Sequence, residues 1–145
     1  MARLPLVNVD EINDPEILGI FAWVIEMEGK VPNHFAIEMN FPELMKSKLG
    51  FTKVLWETGE LSMDEIQHVG ILISKANNCR YCTGAFCTIL VHGLDGDKSY
   101  AEQLVTDGSV SITDHRLLAI VDFAGKVNEN ASTVNDEDIE NLKSH

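Results

Sequence analysis

The sequence predicts an all-α protein of about six to seven helices, arranged as a single domain over residues 1–145. Three observations support this fold class. Apolar residues recur at helical spacing, capping residues and Pro or Gly separate the apolar segments, and the alternation typical of strands is almost absent. A chain of 145 residues, 45% of them apolar, can also bury a core without disulfides.

The first two predicted helices lie in the N-terminal part of the chain. Asp14-Pro15 is a favoured helix start, because a capping residue precedes a proline at the first helical position. The apolar spacing then continues to Gly29. A second amphipathic segment opens at Pro42 and closes at Gly59. No helix is predicted between these two segments.

The third predicted helix begins at Ser62, where Glu65 completes a capping box. It is apolar on most of its circumference, which predicts a central position in the fold. The fourth runs from Asn77–Asn78 to Gly93 and carries a cysteine motif at its start. The remaining predicted segments are shorter and cover residues 96–107, 114–127 and 135–145.

Charge and cysteine content restrict the classes of partner. The net charge of −12 disfavours nucleic acid and anionic membrane surfaces, which carry the same sign. The start of the chain shows no apolar stretch of signal-peptide length, and the longest uncharged run, Cys82–Leu94, is too short to span a bilayer. With an odd count of three cysteines, these features predict a cytoplasmic protein.

Residues 77–92, NNCRYCTGAFCTILVH, contain the chemistry-bearing motif. The first interpretation is a redox dithiol of Cys79 and Cys82. A C-x-x-C pair at a helix start brings two sulfurs within bonding reach, and the unpaired N–H groups there favour a thiolate. Arg80, between the cysteines, adds positive charge.

Two other interpretations of the motif stay open. Cys79, Cys82, Cys87 and His92 match the number and types of ligand of a zinc site. The apolar filler is helical, however, and at ~100° per residue it turns Cys87 ~140° away from Cys82. The third interpretation treats the cysteines as small buried hydrophobes, and for Cys87 it is the favoured one. No metal and no cofactor is predicted.

The stretch ISKANNCRYCTGAF, with the apolar helix before it, resembles the AhpD-like family over residues 61–94. This is the alkylhydroperoxidase and carboxymuconolactone decarboxylase superfamily. The resemblance implies an all-helical homo-oligomer that acts on a small peroxide or disulfide and is recycled by a thiol reductant. It further implies that Cys82 attacks the peroxide and that Cys79 resolves it as a disulfide.

The proton relay of the peroxidase branch is replaced in this sequence. Its glutamate, twelve residues before the first cysteine, is Gln67 here, and its histidine, four after the second cysteine, is Phe86. Neither side chain can accept a proton at neutral pH. Two neighbours are further candidates for the site. His68 lies ~100° around the helix from Gln67, and Tyr81 is able either to donate a hydrogen bond near the sulfurs or simply to pack.

The sequence therefore predicts a thiol-dependent peroxidase or dithiol oxidoreductase with weakened peroxidase activity. Its predicted site comprises Cys82, Cys79, Gln67, His68 and Tyr81. The main alternative is a non-catalytic redox or interaction module on the same fold. A carboxymuconolactone decarboxylase-like activity is less favoured, because it also needs acid–base groups in the pocket, and the zinc site is the remaining alternative.

Overall fold

A computed structural model describes residues 3–145, and this part of the chain forms eight α-helices and contains no β-strand. The all-α prediction is therefore confirmed. The helices, in chain order, are α1 Pro15–Glu28, α2 Asn33–Glu38, α3 Pro42–Thr58, α4 Met63–Ala76, α5 Arg80–Thr88, α6 Lys98–Asp107, α7 His115–Asn130 and α8 Asp136–Lys143.

Contacts within the chain group it into two compact units, Met1–Glu60 and Leu61–His145. The first contains α1 to α3, and the second contains α4 to α8. The single domain over residues 1–145 stays a prediction. Residues 1–2, at the start of the stretch considered above for a signal peptide, lie outside the described residues.

The first unit is built on α1 and α3. Asp14 caps α1 by accepting hydrogen bonds from the backbone N–H groups of Glu16 and Ile17, as the sequence predicts. Gly29 ends the helix with a φ of 76°, a backbone conformation that favours glycine. The core of this unit consists of apolar side chains from all three helices: Ile17, Phe21, Val24, Phe35, Met39, Met45 and Leu49.

Helix α2 is absent from the sequence prediction. It has only six residues, which is too short to show a helical period. Pro32 occupies its N-cap position without a side-chain hydrogen bond, so the usual capping signal is missing as well. The helix buries Phe35 and Ala36, and tertiary packing rather than local propensity explains why it forms.

Helix α4 is the centre of the second unit, as predicted. It contacts α5, α6 and α7, and its Ser62–Glu65 capping box is present. Ile71 on α4 and Leu104 on α6 are completely buried in the core of this unit. At the other end of the unit, Lys126 of α7 binds both carboxylate oxygens of Asp138 on α8 at 2.6 Å.

The predicted fourth helix is shorter than expected and changes geometry along its length. It begins at Arg80 rather than at Asn77–Asn78, because Asn78 has a φ of 55° and interrupts the helical path. After Thr88 the chain widens into a π-helical turn over Ile89–Gly93. Within residues 3–145, no helix is long and apolar enough to span a membrane.

Candidate redox site

The two cysteines of the motif are joined as a disulfide at the N-terminus of α5. Cys79 is the N-cap residue, and its Sγ accepts a hydrogen bond of 3.3 Å from the backbone N–H of Cys82. The Cα atoms of the pair are 5.4 Å apart, within the usual range for a disulfide. Both residues are half-buried. The structure thus brings together the two residues that the motif predicts as a redox pair.

A tight turn between α4 and α5 positions Cys79. The backbone N–H of Asn78 donates to the carbonyl of Lys75 at 2.9 Å, and that of Cys79 donates to the carbonyl of Ser74 at 2.9 Å. Asparagine tolerates the left-handed backbone conformation of the turn better than most residues. The last turn of α4 therefore fixes the direction in which the dithiol helix starts.

Gln67 occupies the position of the missing glutamate and is completely buried on α4. Its Nε2 donates to the backbone carbonyl of Met63 at 3.2 Å. Its Oε1 has no hydrogen-bond partner among residues 3–145. An unsatisfied buried polar atom costs ~1–3 kcal/mol. Position 67 therefore holds a buried acceptor that cannot take up a proton.

Phe86 occupies the position of the missing histidine and packs directly against the backbone of α4. A Cβ atom added at Gly70 would collide with the Phe86 ring, so the aromatic side chain fills the space that glycine leaves. Gly70 and Gln67 are three residues apart and share one side of α4. The Phe86 ring thus fills the space between α4 and α5. The resemblance implies a proton-transferring histidine at this position.

His68 is 2% exposed and bridges α4 to α6. Its Nδ1 lies 2.8 Å from the backbone carbonyl of Asp64, and its Nε2 lies 3.1 Å from the hydroxyl of Tyr100. Because a carbonyl only accepts, Nδ1 carries a proton. Burial, together with the charge of Asp64, raises the pKa of Tyr100. The contacts of His68 therefore lie toward α6, and a direct role beside the sulfurs stays a prediction.

Tyr81 and Arg80 point away from the core in the first turn of α5. Tyr81 is 56% exposed, so a packed core aromatic is not what the structure shows. Arg80 is also exposed. The positive charge predicted next to the dithiol is therefore accessible to small molecules that approach it.

Two cavities lie along α5, and neither was predicted from the sequence. One has a volume of 690 Å³ and is lined by Lys75, Asn78, Arg80, Thr83, Gly84, Cys87 and Val105. The second measures 550 Å³, shares Cys87 and Val105 with the first, and extends toward Lys98 on α6. The sequence signal for the larger cavity is the i, i+3, i+4, i+7 series of Arg80, Thr83, Gly84 and Cys87, which places small or polar side chains on one face of α5.

Cys87 is a free thiol on this face of α5, and burial raises its pKa. It is half-buried and packs against the apolar core of the second unit. In the described part of the chain, no three His, Cys, Asp or Glu side chains are placed to hold a metal ion. The zinc interpretation thus gains no geometric support.

A solved structure has a fold similar to that of this chain. The chain superposes on a peroxidase-related protein from Ralstonia eutropha JMP134, described as an alkylhydroperoxidase AhpD core, with a TM-score of 0.82 and 25% sequence identity. The chain has an AhpD-like fold. The match covers 99% of this chain and 75% of the Ralstonia protein, so the AhpD-like resemblance over residues 61–94 extends across the whole described structure. No protein-family model and no curated protein matches the sequence.

Proposed function

We propose that the protein is a dithiol oxidoreductase that reduces hydroperoxides through Cys82 and Cys79. The observation that carries the proposal is the disulfide between these residues at the first turn of a helix, within an AhpD-like fold. The Ralstonia protein that shares this fold is described as peroxidase-related. A disulfide is the oxidised product that such a reaction leaves on the enzyme.

The reaction uses one sulfur to attack and the other to resolve. The Cys82 thiolate attacks a peroxide oxygen, the O–O bond breaks, and an alcohol or water leaves, so that Cys82 becomes a sulfenic acid. The Cys79 thiol then attacks the Cys82 sulfur, the S–O bond breaks, and water leaves as the disulfide forms. The peroxide is reduced by two electrons and the dithiol is oxidised by two. The 5.4 Å Cα separation allows this closure without moving the helix.

The proposed reaction is slow because the residues at the relay positions do not transfer protons. Gln67 accepts a hydrogen bond but not a proton, and Phe86 does neither. A general base contributes ~10²–10⁴ to a rate. The backbone amide seen at the start of α5 donates to the Cys79 sulfur, so activation of Cys82 then depends on the nearby charge of Arg80 and on the positive end of the helix.

The first experiment is a titration of the free thiols of the reduced protein with and without one equivalent of hydrogen peroxide, followed from pH 6 to 9. We expect the loss of two thiols, restored by a dithiol reductant and abolished in Cys82→Ser and Cys79→Ser. Cys87→Ser is the matched control and retains the response. If Cys82→Ser consumes peroxide as fast as the wild type, the enzymatic proposal is wrong.

The second candidate function is a redox or interaction module without peroxidase turnover. Gln67 and Phe86 favour it, because both relay positions are replaced together. In that case the thiols disappear slowly, and the rate rises only as the pH approaches the pKa of an ordinary thiol. Other oxidants should still convert the two thiols to the disulfide. This result would distinguish a redox module from a cysteine pair that cannot form a disulfide at all.

We further propose that the protein forms a homo-oligomer through the exposed face of α3. Large apolar side chains on or next to this helix are half or more exposed: Phe41, Leu44, Phe51, Val54 and Leu55. A patch of this kind is typical of an association surface. Light scattering should show a multimer that Phe51→Ser with Val54→Ser converts to smaller species. A wild-type monomer at micromolar concentration would contradict this proposal.

A further inference from the structure

We infer that a groove between α5 and α6 binds a small amphipathic carboxylate, a molecule with one anionic end and an apolar chain of medium length. The groove consists of the 690 Å³ and 550 Å³ cavities, which share Cys87 and Val105 and therefore adjoin. This binding is independent of the dithiol reaction, because neither Cys79 nor Cys82 lines either cavity. It gives the helix that begins at the disulfide a second, separate ligand surface.

The charge of the groove favours an anion at one end. Lys75 and Arg80 line the 690 Å³ cavity, and none of the described residues that line it is an aspartate or a glutamate. The chain has 23 acidic and 11 basic residues, so this end is opposite in sign to the molecule as a whole. A ligand carboxylate meets two cations here, although the net charge of −12 repels anions from the rest of the surface.

Both cations have hydrogen-bond donors left for a ligand. Lys75 Nζ donates to the Thr106 carbonyl of α6 at 3.0 Å, which uses one of the three donors of an ammonium group. Among residues 3–145, no carboxylate forms an ion pair with Lys75 or Arg80. The planar guanidinium of Arg80 suits the two oxygens of a carboxylate. An anion at this end therefore displaces no existing ion pair.

The other end of the groove favours a second anion less. Lys98 and Glu102 both line the 550 Å³ cavity, and Lys98 Nζ lies 3.7 Å from a carboxylate oxygen of Glu102. Lys98 thus already has a carboxylate of its own, whereas Lys75 and Arg80 have none. His92 also lines this cavity, so binding is best measured at pH 8, where an ordinary histidine is neutral. The difference between the two ends indicates a ligand with one anionic group rather than two.

Between its two ends the groove has an apolar floor. Cys87, Val91 and Val105 line it and pack against the buried core of the second unit. Thr88, which lines the 550 Å³ cavity, follows Arg80 by eight positions on α5, so the groove extends for ~12 Å along this helix. Both volumes fall within the usual range for small-ligand sites. An alkyl chain on this floor removes apolar surface of both partners from water.

The test titrates the oxidised protein with octanoate at pH 8 and low salt, and follows the amide chemical shifts by NMR. We expect the shift changes to concentrate on residues 83–88 of α5 and 101–106 of α6. The comparison ligands are 1-octanol, which lacks the charge, and acetate, which lacks the chain. Each should bind at least ~5-fold more weakly than octanoate, because it loses either one ion pair or the apolar contact. All three are used below the concentration at which octanoate forms micelles.

Charge variants locate the carboxylate within the groove. Arg80→Gln and Lys75→Gln should each raise the Kd of octanoate ~5-fold at low salt and leave that of 1-octanol unchanged. The effect should shrink as ionic strength rises. Arg80→Lys should retain most of the affinity. Lys143→Gln is the matched control, because it removes one exposed positive charge on α8 and should leave the Kd of octanoate unchanged.

Four results would each overturn the inference. Octanoate might cause no shift changes, or 1-octanol might bind as tightly as octanoate, which would remove the role of charge. Arg80→Gln and Lys75→Gln might both leave the Kd of octanoate unchanged, which would place the carboxylate elsewhere. The shift changes might instead concentrate on the exposed apolar residues of α3, around Phe51 and Val54, which would show binding to that face. None of these results bears on the peroxide reaction, because the disulfide stays intact throughout.

Discussion

The two units of the molecule bury and expose different kinds of side chain. In Met1–Glu60 the described core is entirely apolar, whereas Leu61–His145 buries Gln67, His68 and Ser74 and contains all three cysteines. The first unit instead exposes a series of large apolar residues along α3, and further ones, Leu18 and Ile25, on α1. The dithiol chemistry and the apolar surface therefore belong to different parts of the chain.

Helices α3 and α4 show the difference most clearly. Phe51 in the middle of α3 is 67% exposed, while Ile71 in the middle of α4 is completely buried. Helix α4 also buries three polar side chains, those of Gln67, His68 and Ser74. The comparison teaches that α4 supports the site because α5, α6 and α7 surround it. Helix α3 has free surface for association.

The largest expected effect comes from restoring the proton relay of the second unit. Gln67→Glu combined with Phe86→His should raise the rate of peroxide-dependent disulfide formation, by up to ~10²–10⁴. Burial of the new carboxyl at position 67 raises its pKa toward neutrality, which suits a general base. Stopped-flow thiol loss at pH 7 measures the gain.

Each single substitution is the control for this double variant. A relay needs both groups, so we expect the rate gain of the double variant to be much larger than the product of the two single-variant gains. Circular dichroism should verify that removal of the Phe86 ring beside Gly70 leaves the helices intact. A folded double variant with the wild-type rate would show that the site lacks more than a relay.

Core truncation tests whether the two units unfold separately. Both tryptophans, Trp23 and Trp56, lie in the first unit with ring centroids 5.7 Å apart, so their fluorescence reports on that unit. Met45→Ala in the first unit and Leu104→Ala in the second each remove a completely or almost completely buried side chain. Each should lower the free energy of unfolding by ~2–5 kcal/mol.

The two variants should shift the urea midpoints of different signals. We expect Met45→Ala to shift the urea midpoint of tryptophan fluorescence more than Leu104→Ala does. Labelling of Cys87 with a thiol reagent provides the matching signal for the second unit and should respond in the opposite order. If both variants shift both signals equally, the chain unfolds as one cooperative domain, as the sequence predicts for residues 1–145.

Two glycine-to-alanine substitutions, one in each unit, should change the free energy of unfolding in opposite directions. Both changes should be smaller than those expected from the core truncations. Gly70→Ala places a methyl group against the Phe86 ring and should destabilise the protein by ~1–3 kcal/mol. Gly19→Ala, in α1, meets nothing within 4 Å and should stabilise it by ~0.4–1 kcal/mol by restricting the unfolded chain. Urea denaturation measures both. If both substitutions change the free energy of unfolding by the same amount and in the same direction, the Phe86 ring can move aside for the added methyl group.

The sequence predicts those parts of the fold that depend on local signals. Asp14 before α1 and the Ser62–Glu65 box before α4 are capping patterns within four residues, and both are present. The dithiol at the start of α5 follows from the spacing of Cys79 and Cys82. Helix α2 was missed because its stability comes from tertiary burial, which a six-residue window does not reveal.

The surroundings of the dithiol depend on contacts that are distant in the sequence. The hydrogen bond of His68 to Tyr100 spans 32 positions, and nothing in either local stretch indicates it. The packing of Phe86 on Gly70 likewise joins two helices. The 690 Å³ cavity along α5 has part of its wall on α6, supplied by Val105. The resemblance therefore points to positions 67 and 86, but the contacts that these positions make with other helices were not predicted from the sequence.

The smallest expected effect concerns the third cysteine of the second unit. Burial raises the pKa of Cys87, so at pH 7 to 8 the native protein holds less of this residue as thiolate than the unfolded chain does. In the oxidised protein, iodoacetamide should therefore label Cys87 more slowly than it labels the denatured protein, with the difference narrowing above the raised pKa. Cys87→Ser should take up no label while the disulfide is intact. Equal labelling rates of Cys87 in the native and the denatured protein would contradict this prediction.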